Sequence, residues 1–234
     1  IVAFVFGAIL ITSLTVMGLA IHSIDAFLRD EINQKFPAVL TAKEDRLATW
    51  FEQREREVEV FSHSEVLLGN LPSLLGDAPR SRQRRAVEEI EQYLRYVLDG
   101  FRQYTALFIL DASGEVRLWV GAPLDLDAAE RAVLAASRRA AVGDVRRLAT
   151  GAVQVVSAPL DGSSAGASAA TLHAVYDVRS LRPELVLDDM MVQGDVFLVD
   201  RDRRVVVSSR EHDDGQTYSG PLSTEKARVV VQDY

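Results

Sequence analysis

The sequence predicts an α+β protein with an N-terminal transmembrane helix, a long stalk helix and two tandem modules, each built on an antiparallel sheet. Three observations predict this order. Residues 1–21 carry no charged side chain. Apolar residues then recur at helical spacing over residues 24–61. Beyond them, a strand–turn–strand pattern occurs twice in the chain.

The charge-free run at the N-terminus is interrupted only by hydroxyl side chains and two glycines. A helix of that length rises roughly 30 Å, which is the thickness of a bilayer core. We interpret residues 1–22 as a transmembrane helix that contacts membrane lipid. The alternative is a cleaved secretory signal, because Gly18 and Ala20 form a small-x-small pattern. The run is longer than the apolar core of a typical secretory signal. Under either interpretation, the rest of the chain is expected to be exported.

The stalk helix is predicted from apolar residues at helical spacing, with charged residues between them, over residues 24–61. We expect it to end at residues 69–72, which contain glycine, asparagine and proline. A second amphipathic helix is predicted over residues 81–100, where a final glycine is the expected stop. A helix as long as the first usually packs on a second copy as well as on its own domain, so we expect a homodimer through the apolar stripe over residues 40–61. The alternative is an ordinary helix pair broken near Pro37.

The first module begins with a predicted β-hairpin. Residues 107–111 and 115–120 read as two strands around the turn Ala112-Ser113-Gly114. Asp111 can accept hydrogen bonds from the turn, and the turn glycine tolerates a positive φ. The sequence that follows predicts a helix over residues 127–142, strands over residues 145–149, 153–158 and 171–178, and a polar loop over residues 161–168.

The hairpin pattern is repeated later in the chain. Residues 108–116 return as residues 197–205, an offset of 89 positions that is long enough for a whole small module. The second copy has Arg203 where the first has the turn glycine, and a short helix is predicted before it over residues 181–191. We divide the chain into a transmembrane helix (1–22), a stalk with a second helix (23–100), a membrane-distal module (101–180) and a truncated membrane-proximal module (181–234).

Composition and the absence of motifs exclude several classes of function. The formal net charge of −8 and the lack of a convincing basic cluster argue against nucleic acid as a partner. The chain has no cysteine, so neither disulfides nor thiolate chemistry is available. It contains no nucleophile elbow, no zinc-protease motif and no phosphate-binding glycine loop. We predict no catalytic residue, no metal site and no cofactor in this region.

Several segments, taken in order, resemble the double Cache sensor domain of bacterial transmembrane receptors, which consists of tandem PAS-like modules. They are Trp50-Phe51 with Arg54 in the stalk, and residues 108–114, 174–178, 194–200 and 206–210. The resemblance covers nearly all of the chain. It implies two PAS-like antiparallel-sheet modules anchored in the bacterial inner membrane, with the sensor domain in the periplasm.

The function that this resemblance implies is small-molecule sensing for a transmembrane signalling protein, with ligand binding passed through membrane helices to a cytoplasmic output. A sensor histidine kinase is the expected output, and a chemoreceptor or a diguanylate cyclase is the alternative. An alternative of another class is a membrane-anchored module that binds a protein partner. The chain does not begin with Met and ends in a strand-like run, so we expect a piece of a longer protein.

A candidate ligand site is predicted in the membrane-distal module. Strand alternation places Arg117 and Trp119 on one face, where arginine can pair with an anion and an indole can stack on the apolar part of a ligand. His173 and Asp177 share a face of a later strand, and Ser157 on the strand between is placed to face them. If these side chains converge, they form a small polar and aromatic site for an organic acid or a zwitterion.

The resemblance also implies that the strand-end acid matching Asp177 binds a ligand amine. The arginine and aromatic motif that accompanies this acid in amino-acid-binding members is missing, since residues 128–133 contain no aromatic side chain. Amino acids are therefore disfavoured as ligands. Other interpretations stay open: a solvent-exposed hairpin edge for Arg117 and Trp119, and a structural hydrogen bond for His173.

Overall fold

The computed structural model describes residues 2–148, 151–160, 170–186, 196–199 and 204–209 of the 234-residue chain. Within the first helix, it describes the side chains of residues 13–20, 22–23 and 41 onward. The helices are α1 (Val2–Ser62), α2 (Glu65–Leu75), α3 (Arg80–Gly100), α4 (Ala128–Ala135) and α5 (Arg182–Leu185), the last preceded by a 3₁₀ turn, Val178–Leu181. The strands are β1 (Tyr104–Asp111), β2 (Val116–Gly121), β3 (Ala141–Leu148), β4 (Gly151–Leu160), β5 (Ala170–Asp177), β6 (Phe197–Val199) and β7 (Val205–Ser208).

The stalk helix α1 is continuous, so the alternative of a helix pair broken near position 37 is wrong. The predicted stop at residues 69–72 is also wrong, because these residues lie inside α2. The first helix ends earlier because Ser64 caps a new one: its side chain accepts a hydrogen bond from the backbone N–H of Leu67 at 3.2 Å. The helix predicted over residues 81–100 is confirmed as α3.

The N-terminal part of α1 carries exposed apolar side chains, among them Leu14, Val16, Met17 and Leu19. The transmembrane prediction for residues 1–22 falls largely on side chains that lie outside the described ones. Across the described residues, no helix combines the length and the apolar character that crossing a membrane requires.

The first five strands form one antiparallel sheet with the order β2-β1-β5-β4-β3. Alternate residues of each strand lie on opposite faces of the sheet. One face, which includes Leu107 and Ile109, packs against the helices α1, α2 and α3. The other face includes Phe108 and Val175 and is covered by α4 and the segment before it, residues 122–127. We call this second face the α4 face.

The apolar stripe of α1 is buried within the chain's own domain. Leu47, Phe51, Val58 and Phe61 are each at most 6% exposed and belong to the same core as the strands of the helix-covered face. The stripe that was expected to join two copies is therefore already covered by the sheet and by α2 and α3 over this part of the helix.

The helix predicted over residues 127–142 is shorter in the structure. It begins as expected, because Asp127 caps α4 and forms a capping box with Glu130. It ends at Ala135, and residues 141–148 form the edge strand β3 instead. The helical preference of this alanine-rich sequence is overridden because the segment pairs with β4. The three later strands are confirmed as β3, β4 and β5, with small differences in their bounds.

The repeated hairpin pattern corresponds to β6 and β7, which pair in antiparallel fashion. Leu198 and Val207 of this hairpin are buried and join the core of the helix-covered face. The helix predicted over residues 181–191 begins in the described segment as the short α5, and its later part lies outside the described residues. The turn of the second hairpin and the polar loop over residues 161–168 also lie outside them. The division of the chain into four segments stays a prediction.

Candidate ligand-binding face

A row of side chains crosses four strands on the α4 face. Phe108 of β1 lies opposite Trp119 of β2 and His173 of β5, and His173 lies opposite Ser157 of β4. The Phe108 ring is stacked on the Trp119 ring with 4.4 Å between centroids, and on the His173 ring with 4.7 Å. The indole N–H of Trp119 donates to the backbone oxygen of Ala122 at 3.1 Å. We call these four side chains, Trp119, Phe108, His173 and Ser157, the aromatic row.

His173 is fully buried, and both of its ring nitrogens have hydroxyl partners. Nδ1 lies 2.8 Å from Oγ of Ser157, and Nε2 lies 2.7 Å from Oγ1 of Thr171. Burial lowers the pKa of His173 to about 3, so the ring is neutral at neutral pH. One nitrogen therefore donates its proton and the other accepts a hydroxyl proton. This geometry corresponds to the structural alternative for His173.

Arg117 lies at the turn end of the first hairpin, where it is ion-paired. It donates to Oδ2 of Asp111 from Nε at 2.7 Å and from Nη2 at 2.6 Å, and Nη2 lies 3.2 Å from the Glu115 carboxylate. Burial opposes ionisation of Asp111, but hydrogen bonds from Ser113, Glu115 and Arg117 outweigh it and lower the pKa of Asp111 to about 2. Gly114 has a φ of 82°, so the turn has both the aspartate acceptor and the positive φ that the sequence predicted.

Asp177 lies toward the opposite end of the α4 face, where β5 ends. It is four positions along the strand from His173, a distance of about 13 Å. The Asp177 carboxylate caps the 3₁₀ turn by accepting the backbone N–H of Arg179 at 2.9 Å. The side chain of Arg179 also holds it, with Nη2 at 2.5 Å from Oδ2. Asp177 thus belongs to an ion pair within its own turn.

A cleft of about 140 Å³ lies beside the Asp177–Arg179 pair. Apart from this pair, its lining is mainly apolar, and Thr105 is the other polar side chain among the lining residues. The residues around it are Thr105, Ala122, Pro123, Leu124, Gly151, Ala152, Val153, Val175, Asp177 and Arg179. The sequence analysis missed Arg179. The spacing of Asp177 and Arg179 at the end of a predicted strand was the signal that could have indicated the pair.

The structure brings three of the five predicted site residues together and separates the other two. Trp119, His173 and Ser157 share the aromatic row. Arg117 and Asp177 lie toward opposite ends of the face, and each is paired with a side chain close to it in sequence. A single small site that contains both charged groups is therefore not formed.

Comparison with known proteins identifies the fold. No protein-family model and no curated protein matches the chain. The ligand-binding domain of the Campylobacter jejuni chemoreceptor Tlp3, in complex with 4-methylisoleucine, is similar with a TM-score of 0.58 at 12% identity, covering 79% of this chain and 72% of that one. A domain of a Vibrio parahaemolyticus sensory box/GGDEF family protein gives 0.56 at 12% identity, covering 78% and 74%. The sensor domain of the Vibrio cholerae histidine kinase DctB gives 0.54 at 13% identity, covering 79% and 69%.

These likenesses define the class of the fold. The chain is an α+β protein with the fold of sensor and ligand-binding domains of bacterial receptors, in agreement with the resemblance to Cache domains that its sequence segments indicated. The similar structures are sensor and ligand-binding domains rather than catalytic ones, and they come from proteins with different outputs. At this level of identity, the likeness establishes the fold and leaves the ligand to be argued from the chain's own residues.

Proposed function

We propose that the chain is the sensing region of a bacterial transmembrane signalling protein and that it binds a small molecule on the α4 face. The observation that carries this proposal is the cleft beside the Asp177–Arg179 pair, on the same face as the aromatic row. A mostly apolar pocket with a few polar groups is typical of a ligand site. The fold supports the same function, because Tlp3 binds its ligand in a domain of this kind.

The proposed ligand is an organic acid or a small zwitterion. Among the site residues predicted from the sequence, we propose contact with the ligand for Asp177 at the cleft and for Trp119 at the end of the row, and a structural hydrogen bond between Ser157 and His173. For Arg117 we propose a structural role in the hairpin, since its guanidinium is held by Asp111.

A thermal-shift screen of organic acids, zwitterions and amines tests the proposed site. At a hundredfold excess over Kd, binding stabilises the folded chain by about 2.7 kcal/mol. Val153→Phe adds a ring in the lining of the cleft and should abolish the shift. The matched control is Val133→Phe, because Val133 is 74% exposed on α4. A shift that survives Val153→Phe would place the ligand elsewhere and contradict the assignment.

The signal is proposed to reach the stalk through the end of β5. Asp177 borders the cleft, and the neighbouring Tyr176 lies on the helix-covered face, where its ring meets Trp50 of α1 edge-on at 5.1 Å. The guanidinium of Arg54 lies 4.8 Å from the Trp50 ring centroid and pairs with Glu57 at 2.9 Å. A displacement of β5 would therefore act on α1. Trp50→Leu should preserve ligand-induced stabilisation and reduce the output of the full-length protein, whereas an unchanged output would contradict this path.

Residues 1–22 are proposed to anchor the sensor in the inner membrane, with the domain in the periplasm. The charge-free sequence supports this, as does the exposure of Leu14, Val16, Met17 and Leu19 around the helix. Deletion of residues 1–22 should move the protein from the membrane fraction to the soluble fraction. Persistent membrane association after the deletion would contradict the anchor.

A homodimer through α1 is proposed for the part of the helix before residue 41. The stripe after that point is covered by the chain's own domain, whereas the helical spacing of apolar residues begins at Ile24. The chain has no cysteine, so single cysteines give a clean cross-linking test. A cysteine at Ile32 in the membrane-bound protein should cross-link to its twin, and one at the buried Leu47 should not. The reverse pattern would refute this arrangement.

The proposed output is a histidine kinase, with a chemoreceptor or a diguanylate cyclase as the alternative. A histidine kinase, a chemoreceptor and a GGDEF family protein all occur among the similar structures, so the fold alone favours no output. No catalytic role is proposed for residues 1–234. ATP-dependent autophosphorylation of the full-length protein on histidine tests the kinase proposal, and synthesis of a cyclic dinucleotide instead would identify the alternative.

A further inference from the structure

An arginine of the edge strand β3 ties α4 to the sheet. Arg146 lies opposite Val153 of β4, so its side chain is on the α4 face, and its Nη2 lies 3.1 Å from Oε1 of Glu130 on α4. The side chains of Arg146 and Glu130 are 29% and 35% exposed. An ion pair that water reaches to this extent contributes little stability, so the tie is weak.

The other terminal nitrogen of the same guanidinium is a donor without an acceptor. Nη1 of Arg146 is buried and has no hydrogen-bond partner among the residues that the structure describes. Such a donor is unfavourable, and a guanidinium binds a carboxylate best through two parallel N–H groups. The second oxygen of Glu130, Oε2, instead accepts the backbone N–H of Asp127 at 2.8 Å in the capping box. A carboxylate that reaches both nitrogens should therefore bind Arg146 more strongly than Glu130 does.

We propose that Arg146 binds the carboxylate of the ligand on the α4 face, and that this carboxylate takes the place of Glu130. The inference rests on the proposed function, because it assigns the residue that recognises an acid at the same site. The exchange uncovers Nη1 and removes the ion pair between α4 and β3. The α4 helix has no fully buried side chain, so its displacement costs few apolar contacts.

The cleft beside Asp177 can hold the apolar part of such an acid. Val153 lines the cleft, and Arg146 is its neighbour across one strand spacing, about 4.8 Å. The charged groups of the lining, Asp177 and Arg179, are paired with each other, so the cation for the ligand has to come from outside the lining. The cleft volume of about 140 Å³ is close to that of the roughly 150 Å³ cavity that holds benzene, so a chain of a few carbon atoms fits.

The test compares butyrate with butyramide, two probes of equal size that differ in charge, by NMR titration of the 234-residue chain. The chain should bind butyrate at least about tenfold more tightly, because a charge-assisted hydrogen bond is stronger than a neutral one. Arg146→Gln should weaken butyrate binding at least about tenfold and leave butyramide binding unchanged. The matched control is Arg84→Gln, which removes the same charge from a side chain that is 83% exposed on α3. It should change neither affinity.

A second variant tests the exchange with Glu130. Glu130→Gln removes the competing charge and keeps the capping box, since glutamine can accept the same backbone N–H. It should tighten butyrate binding about two- to fivefold, because the ligand no longer has to displace an ion pair. Glu88→Gln, the control on α3, should have no effect. This comparison leaves Arg146 in place, so it decides the inference even if Arg146→Gln does not fold.

The outcomes separate the inference from the proposed function. Butyrate binding that Arg146→Gln leaves unchanged would overturn the inference and leave the sensing function in place. Equal affinities for butyrate and butyramide, or no gain in Glu130→Gln, would do the same. A failure of butyrate to bind would also overturn the inference, and if no compound of the thermal-shift screen binds either, the proposed function fails with it.

Discussion

Acidification tests the environment of His173. In the folded chain the ring is fully buried, and burial lowers its pKa to about 3 because it disfavours the imidazolium form. The ordinary value for a histidine, which applies to the unfolded chain, is 6.5. Between these two values the unfolded state binds a proton that the folded state does not bind. The free energy of unfolding therefore falls as the pH falls below about 6.5, and the loss continues down to about pH 3.

The size of the effect follows from the two pKa values. Inside the window the loss approaches about 1.4 kcal/mol per pH unit, and between pH 7 and pH 5 it amounts to about 2 kcal/mol. This is a large fraction of the roughly 5–15 kcal/mol that stabilises a typical domain. Asp111 does not contribute to the change between pH 7 and pH 5, because its folded pKa of about 2 and its ordinary value of 3.8 both lie below pH 5.

The assay is urea unfolding at pH 7 and pH 5 for the unmodified chain and for His173→Gln. Glutamine can hydrogen-bond to Ser157 and Thr171 but does not titrate, so the variant should lose about 2 kcal/mol less than the unmodified chain on acidification. Equal losses in the unmodified chain and in His173→Gln would refute a buried, neutral His173.

Three further substitutions test the packing around the site. Gly121→Ala should lower the free energy of unfolding by at least about 2 kcal/mol, because φ is +101° there and a Cβ would lie 2.4 Å from a backbone oxygen of β1. The control Gly69→Ala, in open space on α2, should be neutral or stabilising in the same urea melts. Asp111→Ala should lower the free energy of unfolding by about 2 kcal/mol at pH 7. The difference from the unmodified chain should shrink as the pH falls through about 4 to 2, because the Asp111 carboxylate of the unmodified chain is protonated in this range. Tyr176→Phe should lower the free energy of unfolding by about 1–3 kcal/mol, because the buried Gln154 loses its hydroxyl donor. An unchanged urea melt would show that the hydrogen bond between Tyr176 and Gln154 does not stabilise the fold.

The parts of the fold that could be predicted are those set by local pattern. The α3 helix, the first hairpin and the strands of the sheet each follow from periodicity and turn chemistry within a few residues. The end of α1 and the length of α4 could not be predicted in the same way. Ser64 starts a new helix inside a continuous helical pattern, and residues 141–142 become a strand only because β4 lies beside them.

For the candidate site too, the sequence pattern predicts local features but not how separate strands are aligned. Alternation along a strand predicts which of its residues share a face, and it grouped Arg117 with Trp119 on one strand and His173 with Asp177 on another. Alternation does not give the position along the strand relative to neighbouring strands, which depends on register. Register places Arg117 and Asp177 toward opposite ends of the α4 face, so these two charged groups do not converge.

The α4 helix should open more readily than α3. It has eight residues and no fully buried side chain, whereas α3 buries Ala86, Ile90, Leu94 and Val97. Local opening costs little where few apolar contacts are lost, so the amides of α4 should exchange with solvent faster than those of α3 and with little dependence on denaturant. Native-state hydrogen exchange measures both. Protection of α4 equal to that of α3 would show that the α4 face opens only with global unfolding and would contradict this prediction.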